Sequence, residues 1–179
     1  MNILIIYGSL EGQTEKISGY IADIIRNKGN KVTTLSAEQL PSDFSPDNYD
    51  AAIIAGSIHM GKYPDYIKKF VTSHSGWLNT TPSAFFTVCM AVNSKHAQSR
   101  EEAMRYGAKF FVQTGWQPDL IETFAGAVKY TKYNFVTRFI MKLISKREGG
   151  STDTSHDHEY TDWESVKRFA EKFLLVIAE

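Results

Sequence analysis

An apolar run, Ile3-Leu4-Ile5-Ile6-Tyr7, passes through Gly8 and the loop Ser9-Leu10-Glu11-Gly12-Gln13-Thr14 into a helical pattern carrying Ile17, Tyr20, Ile21, Ile24 and Ile25. That order is strand, loop, helix, and it recurs to the end of the chain. Further strands fit residues 31–35, 51–56, 84–90 and 120–128. A helix opens at Pro64, with Ile67, Phe70, Val71 and His74 on one side. Another opens at the capping box Ser99-Arg100-Glu101-Glu102, carries Tyr106, Phe110 and Phe111, and stops at Gly115. A last helix, capped by Thr161 or Asp162, turns Trp163, Val166, Phe169, Ala170, Phe173, Leu174 and Ile177 to one face. Such alternation predicts an α/β three-layer sandwich, a parallel sheet covered by helices on both faces. With strand order 2-1-3-4-5, one domain spans residues 1–179 and carries an insert at about 129–158.

A sheet of this kind binds ligands beyond the carboxyl ends of its strands, where strand order reverses. Three loops meet there: residues 9–14, 57–63 and 91–95. The first suits a phosphate, because backbone amides and a helix N-terminus converge in a short loop of glycine and hydroxyls. It has neither Gly-x-Gly-x-x-Gly nor a Gly-Lys-Ser/Thr ending, which points away from dinucleotides and nucleoside triphosphates. What it leaves is a phosphomonoester held by hydroxyls and amides; the plainer alternative is a tight turn capped by Thr14. The other two loops would flank a planar ring, with His59, Met60 or Tyr63 able to pack on its face.

Charge adds a local constraint. Twenty basic and twenty acidic residues cancel, so nothing global predicts nucleic acid or another strongly charged partner. Between Lys129 and Arg147, however, stand six basic residues and no acidic one. Read as a helix from about Asn134 to Gly149-Gly150, this segment places Val136, Phe139, Ile140, Leu143 and Ile144 on one broad side. Arg138, Lys142 and Lys146 form a stripe beside them. Either the apolar side packs on the domain and the stripe is solvated, or the segment is interfacial, facing lipid or a lipid-soluble partner with its cations toward anionic groups.

Cys89 is the one cysteine, which fits a reducing compartment, and on a central strand it reads as a small buried hydrophobe. No apolar run reaches the roughly 18 residues of a membrane span, and no signal sequence is evident. The expectation is a cytoplasmic protein, with peripheral attachment to the cytoplasmic face of the membrane through the insert. His156-Asp157-His158 with Asp153 reads as polar loop, and no metal is expected.

The chain resembles the flavodoxins. Their phosphate loop, Thr/Ser-x-Thr-Gly-x-Thr after the first strand, is met by Ser9-Leu10-Glu11-Gly12-Gln13-Thr14, with Glu11 where many flavodoxins have a hydroxyl. Within that superfamily it is most similar to the flavodoxin-type, quinone-dependent protoporphyrinogen IX dehydrogenases. The likeness rests on 11–14, Ser57-Ile58 with Gly61 and Tyr63, Pro82-Ser83-Ala84-Phe85, Ala125-Gly126-Ala127, residues 138–144, Gly149-Gly150 with Thr152-Asp153-Thr154, and Tyr160-Thr161-Asp162-Trp163.

The resemblance implies a flavodoxin-like fold and FMN as cofactor. Ser9, Leu10, Glu11, Gly12, Gln13 and Thr14 would hold the phosphate, while Ser57, Ile58, His59, Met60, Gly61, Ala91, Val92 and Asn93 would surround the ring. A carboxylate facing the phosphate would repel it, so Glu11 is expected to point outward and offer its backbone amide. The implied reaction oxidises protoporphyrinogen IX to protoporphyrin IX, a step of heme biosynthesis, with electrons passing through FMN to a quinone. Lys129, Tyr130, Lys132, Arg138 and Lys142 are candidates for meeting the anionic tetrapyrrole or the membrane. The alternatives are an electron-transfer flavodoxin, disfavoured by the neutral charge, and an FMN-dependent quinone reductase with no tetrapyrrole substrate.

Overall fold

The apolar runs at the centre of the chain are buried on both faces, as parallel strands under two helical layers must be. In the computed structural model, which describes residues 1–178 apart from the side chains of Arg147 and Glu148, the sheet comprises β1 (Asn2–Gly8), β2 (Lys31–Ser36), β3 (Ala51–Ser57), β4 (Ser83–Val88) and β5 (Leu120–Phe124). Their order is β2-β1-β3-β4-β5 and every pairing is parallel, with Ile5 of β1 opposite Thr34 and Ile53. Side chains alternate between faces. Ile3, Ile5, Ile53 and Phe86 pack under α1 (Gln13–Asn27) and α5 (Trp163–Val176), whereas Leu4, Ile6, Ile54 and Phe85 pack under α2 (Asp65–Leu78) and α3 (Ala97–Thr114).

Several boundaries differ from the sequence reading. β4 ends at Val88, because the chain turns into a short 3-10 turn at Met90–Asn93. The predicted fifth strand breaks after Phe124: Ala127–Val128 leaves the sheet as β6 and pairs antiparallel with β7 (His158–Glu159). The break falls at Gly126, where a Cβ would stand 3.0 Å from Val88 Cγ1. Its carbonyl accepts from Tyr160 N at 3.0 Å, drawing the backbone toward the returning segment. α3 begins at Ala97, two residues before Ser99, so the predicted capping box lies within the helix. Asp162 caps α5 by accepting from the amides of Glu164 and Ser165, which leaves Thr161 for another role.

Helix α4 (Phe135–Glu148) is the insert's main element, capped by Asn134 Oδ1 on Thr137 N and ended by Gly149 at φ 82°. The reading in which its apolar side packs on the domain is overturned. Val136, Phe139, Ile140, Leu143 and Ile144 are all exposed, as is Phe135 at 86%. The buried side of the helix is instead the narrow, more polar row of Thr137, Arg138, Met141 and Ser145.

Candidate functional site

The loop after β1 closes on itself by a hydrogen bond from Gly12 N to Ser9 Oγ, 3.0 Å, which leaves the Ser9 hydroxyl proton to donate elsewhere. Gly12 has φ 89°, a left-handed conformation that glycine adopts without strain. It is the N-cap of α1, and no side chain caps that end, so the first amides of the helix point into the loop. Thr14 lies inside the helix rather than capping it. Its Oγ1 is buried and has no hydrogen-bond partner. An orphaned hydroxyl beside uncapped amides at a positive helix end is a donor set matched to a phosphate dianion.

The remaining loop residues have distinct surroundings. Leu10 is exposed. Gln13 sends its side-chain nitrogen to Thr161 Oγ1 at 2.9 Å, and Thr161 donates to Ala125 O at 2.8 Å, so what Gln13 can offer an anion is its backbone N–H. Glu11 does not point freely outward. Its two carboxylate oxygens share the hydroxyl proton of Tyr133, at 2.8 and 2.9 Å.

The other two loops lie at the same carboxyl edge of the sheet. Ser57 Oγ donates to Gly8 O at 3.5 Å, and Ile58 N to Val88 O at 3.0 Å. His59 and Lys62 then exchange backbone hydrogen bonds across Met60-Gly61, both with positive φ, as in a tight hairpin turn. Met60 at its tip is 91% exposed, and His59 is exposed as well. Tyr63 is not available to a ring. Its side chain turns into the core against Phe85 and Phe110, its hydroxyl pairs with Thr87 Oγ1, and burial pushes its pKa up. Ala91 and Val92 are half-buried, while Asn93 reaches the Tyr160 carbonyl at 3.4 Å. Cys89 is buried, and burial pushes its thiol up, away from the reactive thiolate.

The insert is seated on this site, which sequence reasoning missed. Glu11–Tyr133, Gln13–Thr161, Lys16–Glu159 at 2.6 Å and Asn93–Tyr160 join the loops to the segment around β6 and β7. At the far end of α4 the Lys95 stem lies against Gly149, where a Cβ would stand 2.6 Å from Cε. The helix, about 21 Å long at ~1.5 Å per residue, therefore runs between the first loop and the third. The odd acid at Glu11 and the glycines at 149–150 were the available signals, but neither names its partner.

Two substrate candidates are engaged within the insert. Tyr130 is fully buried with its hydroxyl on Ser151 O, and Arg138 donates from Nε and Nη2 to the carbonyls of Tyr130 and Tyr133. Lys129 is half-buried, while Lys132 and Lys142 are exposed; the side chain of Arg147 lies outside the described residues. His158 Nε2 bonds to Asp153 O, and among the described residues no group of three His, Cys, Asp or Glu could hold a metal.

The model of the Flavodoxin domain family matches residues 4–155. The chain belongs to the flavodoxin family. FMN is the cofactor of such domains, and the donor set at Ser9, Gly12 and Thr14 fits its phosphate. This flavodoxin is 35% identical over 170 residues to the Escherichia coli (strain K12) protein named protoporphyrinogen IX dehydrogenase (quinone), covering 95% of this chain and 93% of that one. It is 31% identical to the Leishmania major protein of the same name, over 95% of this chain and 73% of that one. Among solved structures, oxidised flavodoxin 1 from Bacillus cereus shares the fold, with a TM-score of 0.60 and 17% identity over 98% of each chain.

Proposed function

We propose that this flavodoxin is a protoporphyrinogen IX dehydrogenase that holds FMN at the three-loop edge and delivers electrons to a membrane quinone. The identity to proteins of that name is what carries the reading. It spans 95% of the chain, more than the sandwich without the insert could supply. When bound, FMN supplies the redox chemistry, taking hydrogen equivalents from the reduced tetrapyrrole and passing electrons on to the quinone.

The protein's part is to bind and orient. Ser9, the Gly12 and Gln13 amides and Thr14 Oγ1 hold the phosphate, while Ser57 to Gly61 and Ala91 to Asn93 border the ring. The exposed apolar face of α4 rests on lipid beside the site, with Lys132, Lys142 and Lys146 toward anionic headgroups. Among the described residues, no helix is long and apolar enough to cross a membrane.

The test is anaerobic mixing of the FMN-loaded protein with protoporphyrinogen IX, followed by a soluble quinone. The flavin absorbance should bleach and then return. A flavin untouched by the tetrapyrrole but readily reduced by a nicotinamide or a redox protein would favour the quinone reductase or electron-transfer alternative.

A further inference from the structure

The contact between Glu11 and Tyr133 puts a hydroxyl of the insert on a carboxylate of the phosphate loop. Glu11 immediately precedes Gly12, in the loop whose amides gather at the start of α1. A carboxylate there, left to rotate, would share that positive end with the phosphate and repel it. Tyr133 meets that carboxylate. Its hydroxyl accepts from Lys129 N at 3.4 Å and gives its proton to both Glu11 oxygens, at 2.8 and 2.9 Å. Its ring is set edge-on to the buried Tyr130, 6.1 Å between centroids, and Arg138 holds the backbone carbonyls on both sides of the turn. Burial, followed by the bond to Glu11 and its charge, raises the Tyr133 pKa above the ordinary tyrosine value.

We infer that Tyr133 is a positioning residue for the cofactor: it draws the Glu11 carboxylate away from the phosphate site, so that seating of the insert and affinity for the FMN phosphate are coupled. The coupling is reciprocal. A phosphate in the loop drives Glu11 toward Tyr133 and tightens the insert, and a seated insert tightens the phosphate. This rests on FMN as the loop's ligand. It would also make the insert report whether the cofactor is in place.

The test compares affinities for FMN and riboflavin, which lacks the phosphate, by flavin fluorescence quenching in the unsubstituted protein, Tyr133→Phe, Glu11→Gln and the double variant. Tyr133→Phe should weaken FMN by at least about fivefold, the scale of a like-charge contact screened as in bulk water, and leave riboflavin within about twofold. Glu11→Gln should bind FMN at least as tightly as the unsubstituted protein, and adding it to Tyr133→Phe should restore FMN affinity. A purely structural role for Tyr133 would move both flavins together and show no rescue, and either result overturns the inference. Loss of FMN affinity in Glu11→Gln alone also overturns it, whether or not Tyr133→Phe folds. An unsubstituted protein that binds no FMN overturns the cofactor reading itself; normal FMN binding with unresponsive variants overturns only the role of Tyr133.

Discussion

Helices α4 and α5 are neighbours in sequence, each has 14 residues, and each carries an apolar face, yet they meet opposite fates. Val166, Phe169, Ala170 and Phe173 of α5 are at most 1% exposed, whereas six of the seven large apolar residues of α4, all but the half-buried Met141, lie between 46% and 86% exposed. The sheet explains the difference. Its five strands offer two faces, one covered by α1 and α5 and the other by α2 and α3. Helix α4 belongs to neither cover. Periodicity thus reveals that a helix has an apolar face, but not what covers it; the number of available sheet faces decides whether the cover comes from within the fold.

The largest expected effect breaks or upholds this contrast directly. Phe169→Ala, in the core beneath α5, should cost about 3–5 kcal/mol in urea unfolding, while Phe139→Ala on α4 should fall within about 0.5 kcal/mol. Similar losses in both would mean that α4 is packed after all. Next in size, Thr14→Val removes a donor that the fold itself does not use. FMN affinity should fall by about 1.5–3 kcal/mol, the value of a hydrogen bond to a charged group, with the urea midpoint unchanged or raised. Smaller again, Lys132→Gln and Lys142→Gln should each cost about 1 kcal/mol in partitioning onto vesicles containing anionic lipid, and the difference should vanish in high salt.

The smallest effect concerns acid. Hydrogen bonds from Thr131 hold the Asp157 carboxyl low, while Glu159 is pushed up by burial but more strongly lowered by Lys16 and Trp163. Groups whose folded pKa is depressed contribute stability above their unfolded values, near pH ~4, and lose it as pH falls through the lower folded values. Protection from hydrogen exchange in residues 129–158 should therefore fall below about pH 4 before protection in the sheet does. Simultaneous loosening of both would show that the insert has no separate anchorage.

The alternation of strands and helices, the three loops and the donor-rich first loop were legible in the sequence because each is a local pattern: an apolar run, a glycine, a helical period. What escaped was long-range. Gly126 was read inside a strand because nothing local reveals that Tyr160 draws its carbonyl out of the sheet. Tyr63 stays open between ring contact and packing in the sequence, because its position next to a loop does not disclose the pocket between Phe85 and Phe110. Arg138 belonged to a basic stripe by helical spacing, yet it bonds to carbonyls in the turn ahead of α4. Glu11 was recognised as out of place in a phosphate loop, but the residue that answers it stands 122 positions later.

The central claim is that α4 meets the membrane while the loops hold the flavin, and it is tested by turnover of protoporphyrinogen IX with two acceptors, a soluble short-chain quinone and a long-tailed quinone in vesicles. For Phe139→Ser/Leu143→Ser, turnover with the soluble quinone should match that of the unsubstituted protein, while turnover with the vesicle quinone should fall about tenfold or more, as burial of two large apolar side chains allows. Equal turnover with both acceptors, at the unsubstituted level, would contradict the account.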